Sequence, residues 1–222
     1  MQFLYHPDSG SSKIEIEGEP YRYIFKVRRH REGERIALRN LQDQFIYFYK
    51  IESVTRRKAE LLFLEKEKKE VKSKEFVHLA WCVIDPKVVE KTLPTLNEIG
   101  VEKISFIYCD RSQKNFKLDF DRLTRIAINS SQQCGRSSLI KFEMIDSIDS
   151  FFQKYPESAV FDFGGKPINC NSKVKSILVG CEGGFSDQER VLFKDRLVFS
   201  LNTPLILRSE SAAIVATTKI FL

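Results

Sequence analysis

The chain has 222 residues, 42% of them hydrophobic, with 18 Phe against 10 Gly and 7 Pro. That composition excludes a disordered or fibrous chain and supplies apolar material for one large domain or two modest ones. Lys and Arg number 36 against 30 Asp and Glu, a net charge of +6, which favours a polyanionic partner such as nucleic acid but equally suits an ordinary basic surface.

The five cysteines, Cys82, Cys109, Cys134, Cys170 and Cys181, form no CxxC pair and no Cys/His cluster. No metal is therefore expected, and the thiols read as buried and reduced. Residues 1–10 lack a basic segment followed by an apolar run, and no apolar stretch reaches the roughly 18 residues of a membrane span. No membrane partner is expected, and the location reads as cytoplasmic.

Up to about residue 65 the pattern is short and punctuated. Asp8-Ser9-Gly10 marks a turn, residues 13–17 alternate apolar and polar, and short apolar runs follow at 34–39, 45–51 and 59–64. Closely spaced strands of this kind predict a small β-barrel or sandwich. Residues 21–29 suit a strand or a short helix, and the spacing of Tyr23, Ile24, Val27 and His30 favours the helix. Residues 65–75 are almost entirely charged and separate two differently patterned halves, so the domains are placed at 1–70 and 71–222. The mixed signs also suit an exposed strand and turn within the first domain.

From Phe76 the period changes. Strands are expected near 76–84, 103–109, 139–144, 158–163, 175–180 and 196–200, with helices near 86–99, 119–134, 146–154, 187–194 and 210–221. Near-continuous apolar strands alternating with amphipathic helices predict a mostly parallel α/β domain.

The strand at 176–180 ends in Gly180-Cys181-Glu182-Gly183-Gly184-Phe185-Ser186, and Ser186 with Glu189 makes a capping box for the next helix. Glycines at a strand's carboxyl end let backbone approach a ligand closely, but a tight strand-to-helix turn asks for the same residues. A second glycine turn, Phe161-Asp162-Phe163-Gly164-Gly165-Lys166, lies one strand earlier, which brings the ligand reading level with the turn. Neither loop fits a dinucleotide or P-loop pattern. Further on, Pro204 leads into an apolar run, Ser209 can cap a helix, and Ala212, Ala213 and Ala216 permit close packing. Alone, that helix is equally an interface or plain core.

Taken in order, Gly180-Cys181-Glu182-Gly183-Gly184-Phe185-Ser186 and Leu205-Ile206-Leu207-Arg208-Ser209-Glu210-Ser211-Ala212-Ala213 resemble the cofactor signature of the SPOUT-class methyltransferases. Within that class the chain resembles the RsmE type, which methylates N3 of a uridine (uridine 1498) in 16S ribosomal RNA. Further matches are Lys87 with Glu90-Lys91, Asn97-Glu98-Ile99-Gly100-Val101-Glu102, Asp110-Arg111-Ser112, Ser131-Gln132-Gln133-Cys134-Gly135-Arg136, and Val27-Arg28 with Gly33-Glu34. The resemblance spans nearly the whole chain and is strongest after residue 176. It departs at Cys181, where Pro is usual, at Gln132, where Glu is usual, and at Thr203 and Leu205, where Gly and Arg are usual.

The resemblance implies an N-terminal PUA-like β-barrel and a C-terminal SPOUT α/β domain whose last part, within about 158–222, threads a trefoil knot. It implies S-adenosylmethionine as cofactor, 16S ribosomal RNA or the small ribosomal subunit as substrate, and a homodimer. Cofactor contacts, mostly through backbone, are implied at Phe163, Gly164, Val179, Gly180, Glu182, Gly183, Gly184, Leu201, Leu205 and Leu207. Uridine N3 must lose a proton as it accepts a methyl group, so a carboxylate or a cation is needed. Arg136, Arg208 and Glu210 are the candidates, with a structural role open for each. Arg22, Lys26, Arg28, Arg29, Arg31 and Arg35, interleaved with Tyr21, Tyr23 and Phe25, suit phosphate contact and base stacking, and Arg111 is a further RNA candidate. A solvated basic face is the competing account. At Gly183 a side chain is expected to occupy the cofactor's space. Two alternatives stand beside this reading: a SPOUT enzyme acting on the ribose 2′-oxygen, and an RNA-binding homologue without catalysis.

Overall fold

The computed structural model describes residues 2–168 and 174–221, so Cys170 lies outside the described residues. The chain divides into two compact units, Met1–Lys72 with Ile128–Leu139, and Ser73–Ala127 with Ile140–Leu222.

In the first unit β1 (Leu4–Tyr5), β2 (Lys13–Glu17), β3 (Arg35–Arg39), β4 (Phe45–Val54) and β5 (Lys58–Lys68) form a five-stranded sheet in the order β1-β3-β4-β5-β2. All pairs are antiparallel except β1 on β3. β2 buries Ile14 and Ile16 and exposes Lys13, Glu15 and Glu17, as a half-buried strand must. β5 continues into the charged run, where residues 65–68 pair only with β4. Charge suits such an open edge because it discourages pairing with another chain. Here the charges also have partners: Arg35 Nη2 donates to Glu65 at 2.7 Å, and Lys66 Nζ lies 4.7 Å from the Phe45 ring centre.

Between β2 and β3 the chain forms α1 (Gly18–Tyr21), then a π-helical stretch, Arg22–Val27, in which Arg28 N–H donates to the Tyr23 carbonyl. The helix expected at 21–29 is present, but its buried stripe is Tyr21, Ile24 and Phe25, and Val27 is 66% exposed. The wider π turn rotates the apolar face away from the spacing a 3.6-residue period gives.

The second unit holds a six-stranded, wholly parallel sheet in the order β11-β9-β10-β6-β7-β8. Its strands are β6 (Val77–Cys82), β7 (Val101–Ile107), β8 (Lys141–Ile145), β9 (Ala159–Pro167), β10 (Ser176–Val179) and β11 (Val198–Ser200). Among the described residues the helices that follow these strands are α2 (Pro86–Glu98), α3 (Phe120–Cys134, of which the residues from Ile128 on belong to the first unit), α4 (Ile148–Lys154), α5 (Asp187–Val191) and α6 (Ser209–Phe221). Every residue of β6 is buried, the condition of a strand covered on both faces. α2 begins where Asp85 accepts from the Lys87 N–H at 2.8 Å and Pro86 takes the first helical position.

One expectation is corrected. Residues 161–166 form no turn but belong to β9, which passes through both glycines to Pro167. Gly164 has φ +72, and the β9–β11 register shifts between Val198 and Phe199. A Cβ at Gly165 would lie 2.6 Å from the Val198 carbonyl oxygen, so only glycine lets the two backbones pass at this irregularity.

Toward the amino ends of the strands a polar network is buried. His78 bonds Ser176 Oγ through Nδ1 at 2.8 Å and Ser105 Oγ through Nε2 at 2.7 Å. Because the single Ser105 proton goes to Glu143 at 2.5 Å, Ser105 accepts from His78 Nε2–H, which fixes the ring's tautomer. Glu143 also accepts from Tyr155, Lys154 and Lys103. Burial pushes the Glu143 carboxyl up, but the donors Lys154, Ser105, Tyr155 and Lys103 outweigh it and hold the group at about 2. Burial, seconded by Lys103, lowers His78 to about 4, so the ring is neutral at pH 7.

Candidate functional site

At the carboxyl ends of the parallel strands lies a cavity of about 410 Å³, contained within the second unit. Phe161, Asp162, Phe163 and Gly164 of β9 form one wall, Val179 to Phe185 after β10 the next, and Ser200 to Ser209 after β11 the third. Arg111, Arg190 and Ala212 complete it. All ten residues expected to contact the cofactor, Phe163, Gly164, Val179, Gly180, Glu182, Gly183, Gly184, Leu201, Leu205 and Leu207, line this one cavity. At Gly164 (φ +72) and Gly184 (φ +66) an added side chain would meet nothing within 4 Å, so the backbone there stands bare to the cavity. Exposed Phe163, Leu205 and Ile206 flank the opening.

Three consecutive residues of the loop after β7, Cys109, Asp110 and Arg111, reach the glycine turn that follows β10 and the helix it leads into. Cys109 Sγ lies 3.4 Å from Cys181 Sγ, the Asp110 N–H donates to Glu189 Oε1 at 2.8 Å, Ser186 Oγ donates to Asp110 at 2.5 Å, and Arg111 Nη1 donates to the Gly183 carbonyl at 2.7 Å. The capping box expected from Ser186 and Glu189 is formed in both directions, and burial raises the Glu189 carboxyl. A Cβ on Gly183 would meet the Arg111 stem at 3.2 Å. Crowding at this position therefore acts on Arg111 and the turn, at a residue that lines the cavity.

Ser209 is the first residue of α6, and its side chain ties three elements together. Trp81 Nε1 donates to Ser209 Oγ at 2.9 Å, and Ser209 Oγ donates to the Gly180 carbonyl at 2.5 Å. Inside the cavity, Asp162 accepts from Arg190 Nε at 2.8 Å, an ion pair that raises the guanidinium's affinity for its proton. Sequence reasoning gave Asp162, Arg190 and Ser209 none of these bonds, whose partners lie 28 or more residues away.

Of the catalytic candidates, Arg208 is exposed and Glu210 half-buried at the start of α6, and neither has a side-chain hydrogen bond among the described residues. Arg136 belongs to the first unit, where it is buried with Nε donating to Ser138 Oγ at 3.3 Å. Gln132, also in the first unit, accepts from the Tyr5 N–H at 2.9 Å. Thr203 accepts from the Leu205 N–H at 3.2 Å within the last loop. Exposed Glu182 lines the cavity.

The RNA candidates Arg22, Lys26, Arg28, Arg29 and Arg111 are all exposed. Arg22 and Lys26 share a basic hollow in the first unit with Arg56 and Arg57, which sit in the β4–β5 turn and which the sequence did not single out. Two expected stacking aromatics are corrected: Tyr21 and Phe25 face the core, stacked with centroids 5.0 Å apart, and Tyr21 Oη donates to the Thr55 carbonyl. Tyr23 stays half-exposed and is bonded by Arg28 Nη2 at 2.9 Å. Cys82, Cys109 and Cys181 are buried free thiols as expected, whereas Cys134 is exposed. Among the described residues no group of three or more His, Cys, Asp or Glu side chains could hold a metal ion, and no helix is long and apolar enough to cross a membrane.

Two family models match successive parts of the chain. Residues 16–64 match the RNA methyltransferase PUA domain family and residues 71–220 the RNA methyltransferase domain family. Ribosomal RNA small subunit methyltransferase E of Helicobacter pylori is 38% identical over 218 residues, covering 96% of both chains. Its counterpart in Aquifex aeolicus is 25% identical over 199 residues, covering 86% of both. The crystal structure of a ribosomal RNA small subunit methyltransferase E from Neisseria gonorrhoeae bound to S-adenosylmethionine shares the fold with a TM-score of 0.81, at 22% identity over 98% of this chain and 96% of that one. The fold is thus a PUA domain joined to a SPOUT-class α/β domain, and the chain belongs to the RsmE family of RNA methyltransferases.

Proposed function

We propose that this protein transfers the methyl group of S-adenosylmethionine to N3 of one uridine in the 16S RNA of the small ribosomal subunit. The observation that carries the reading is the convergence of three sequence-distant loops on one cavity with bare glycine backbone and flanking apolar side chains. Such a lining suits a ligand with a flat apolar ring and a polar tail. Gly164, Gly184 and the backbone of 179–184 would hold it, with Leu201, Leu205 and Leu207 against the ring. When bound, the cofactor supplies an electrophilic methyl group on a sulfonium.

The chain's own residues must then orient the base and manage its proton. Glu210, half-buried beside the cavity's last loop, is proposed to accept the N3 proton, and Arg208 to stabilise the anion that forms. The assignment of Arg136 rests on the resemblance of residues 131–136 alone. The first unit's basic hollow, with Arg22 and Lys26, and Arg28, Arg29 and Arg111 are proposed to hold RNA phosphates. Arg111 keeps donors free for a phosphate while one is committed to Gly183. A homodimer is proposed as the working assembly.

Nucleoside analysis of 16S RNA from a deletion strain tests the reaction. Loss of N3-methyluridine at one site, restored by the intact gene, is expected. Loss of a 2′-O-methyl group with N3-methyluridine retained overturns the choice of atom, and absence of S-adenosylmethionine binding in calorimetry overturns the enzyme itself.

A further inference from the structure

Three thiols from three strand ends meet under the cavity. Cys181 opens the glycine turn and lines the cavity, and its sulfur lies 3.4 Å from that of Cys109, 72 residues earlier in the chain. Cys82, at the end of β6, is fully buried, and burial with Cys109 as a neighbour pushes its thiol well up. Cys109 and Cys181 are 3% and 5% exposed. A disulfide has an S–S length of about 2.05 Å, so the two sulfurs, 3.4 Å apart, need to approach by about 1.4 Å.

Cys181 is also built into the turn itself: its carbonyl accepts from the Gly184 N–H at 2.9 Å, and its thiol donates to the Gly184 carbonyl at 3.6 Å. Whatever draws the Cys181 sulfur toward Cys109 acts on the backbone that faces the cavity.

We propose that Cys109 and Cys181 are an oxidisable dithiol site whose disulfide weakens cofactor binding. This rests on the reading of the cavity as the cofactor site. A small peroxide enters through the cavity and meets Cys181, whose sulfur attacks one peroxide oxygen, giving a sulfenic acid and one water. The Cys109 sulfur then attacks the sulfenic sulfur and a second water leaves. In sum, two thiols and one peroxide give one disulfide and two waters, with both thiol protons in the water. Oxidation removes the thiol proton that Cys181 gives to Gly184, and it fixes the turn to the loop after β7. Cofactor in the cavity shields Cys181, so binding and oxidation oppose each other.

The test uses the full chain with hydrogen peroxide as oxidant. Reduced protein is titrated with S-adenosylmethionine by calorimetry, oxidised with and without the cofactor, titrated again, and digested without reductant for mass spectrometry. Expected are a Cys109–Cys181 cross-linked peptide two hydrogens lighter than its parts, slower formation with cofactor present, and an affinity about tenfold weaker that dithiothreitol restores. Cys109→Ser, compared with its own reduced form, should keep its affinity through the same treatment; Cys109→Ala serves if the serine variant does not fold. Absence of that peptide, a disulfide with unchanged affinity, or equal loss in the Cys109 variants overturns the proposal. Reduced protein that fails to bind the cofactor overturns the reading of the cavity instead, and the peptide map then decides the thiol pair on its own.

Discussion

The two ends of the parallel sheet solve opposite problems with similar residue types. At the amino ends, His78, Ser105, Glu143, Tyr155 and Lys103 close into a buried network in which the donors and acceptors answer one another. At the carboxyl ends, Glu182, Arg208 and Glu210 have no side-chain hydrogen bond among the described residues, and glycines leave backbone bare. A satisfied polar network rigidifies the fold and has little left for a ligand, whereas an open set of polar groups over a rigid floor is what a ligand needs. Charge and polarity alone therefore do not mark a site; unanswered polarity does.

The largest expected effect breaks the closed end. Glu143→Ala removes the acceptor shared by Lys103, Ser105 and Tyr155, and should lower unfolding free energy by about 3 to 4 kcal/mol in urea titrations. Cofactor affinity in that variant should stay within about twofold if the two ends are independent. A proportionate fall in affinity would break the contrast.

Acid probes the same end. His78 is lowered from 6.5 to about 4 by burial, so between those values the unfolded chain binds the proton more readily. Stability is complete above pH 6.5 and falls as pH drops toward 4, by roughly 2 to 3 kcal/mol at pH 4.5. Glu143, held at about 2 against 4.5, contributes above pH 4.5 and loses that contribution only at lower pH. In His78→Gln the decline between pH 7 and 4.5 should flatten; an unchanged slope would remove His78 from the account.

At the open end, Gly183→Val drives a branched side chain into the Arg111 stem and should weaken S-adenosylmethionine binding about a hundredfold, with unfolding changed by less than about 1 kcal/mol. Full affinity in a folded variant would unseat the turn as cofactor holder. The smallest effect sharpens the picture: Arg111→Lys keeps the charge but loses the fork that reaches the Gly183 carbonyl, so affinity should fall by about three- to fivefold. A loss confined to RNA binding would assign Arg111 to phosphate alone.

The second unit's strands and helices were legible because each is buried for its whole length or amphipathic at its own period; β6 is apolar from Val77 to Cys82 apart from His78. The capping box at Ser186 is local and could be read directly. What escaped was set by register between distant strands. His78 stands among apolar neighbours, and nothing in the sequence says that Ser176 and Ser105 flank it. The π-helical stretch hides because no simple residue spacing announces it. Residues 59–64 of β5 read as a strand, but its last four residues read as the start of a charged boundary, with an exposed strand as the alternative, because their charges sit where the strand has one partner. The site's glycines were visible, while the bonds from Cys109, Asp110 and Arg111 that shape their turn were not.

The bond from Trp81 to Ser209 spans 128 residues, and Ser209 in turn holds Gly180. The cavity's third wall, residues 200–209, is thus made by chain that leaves the ribosome long after β6 has emerged. During synthesis the central strand must wait with its indole unpaired, and no partial product ending before Ser209 can assemble the pocket. A pocket whose third wall comes last is complete only once the chain nearly is.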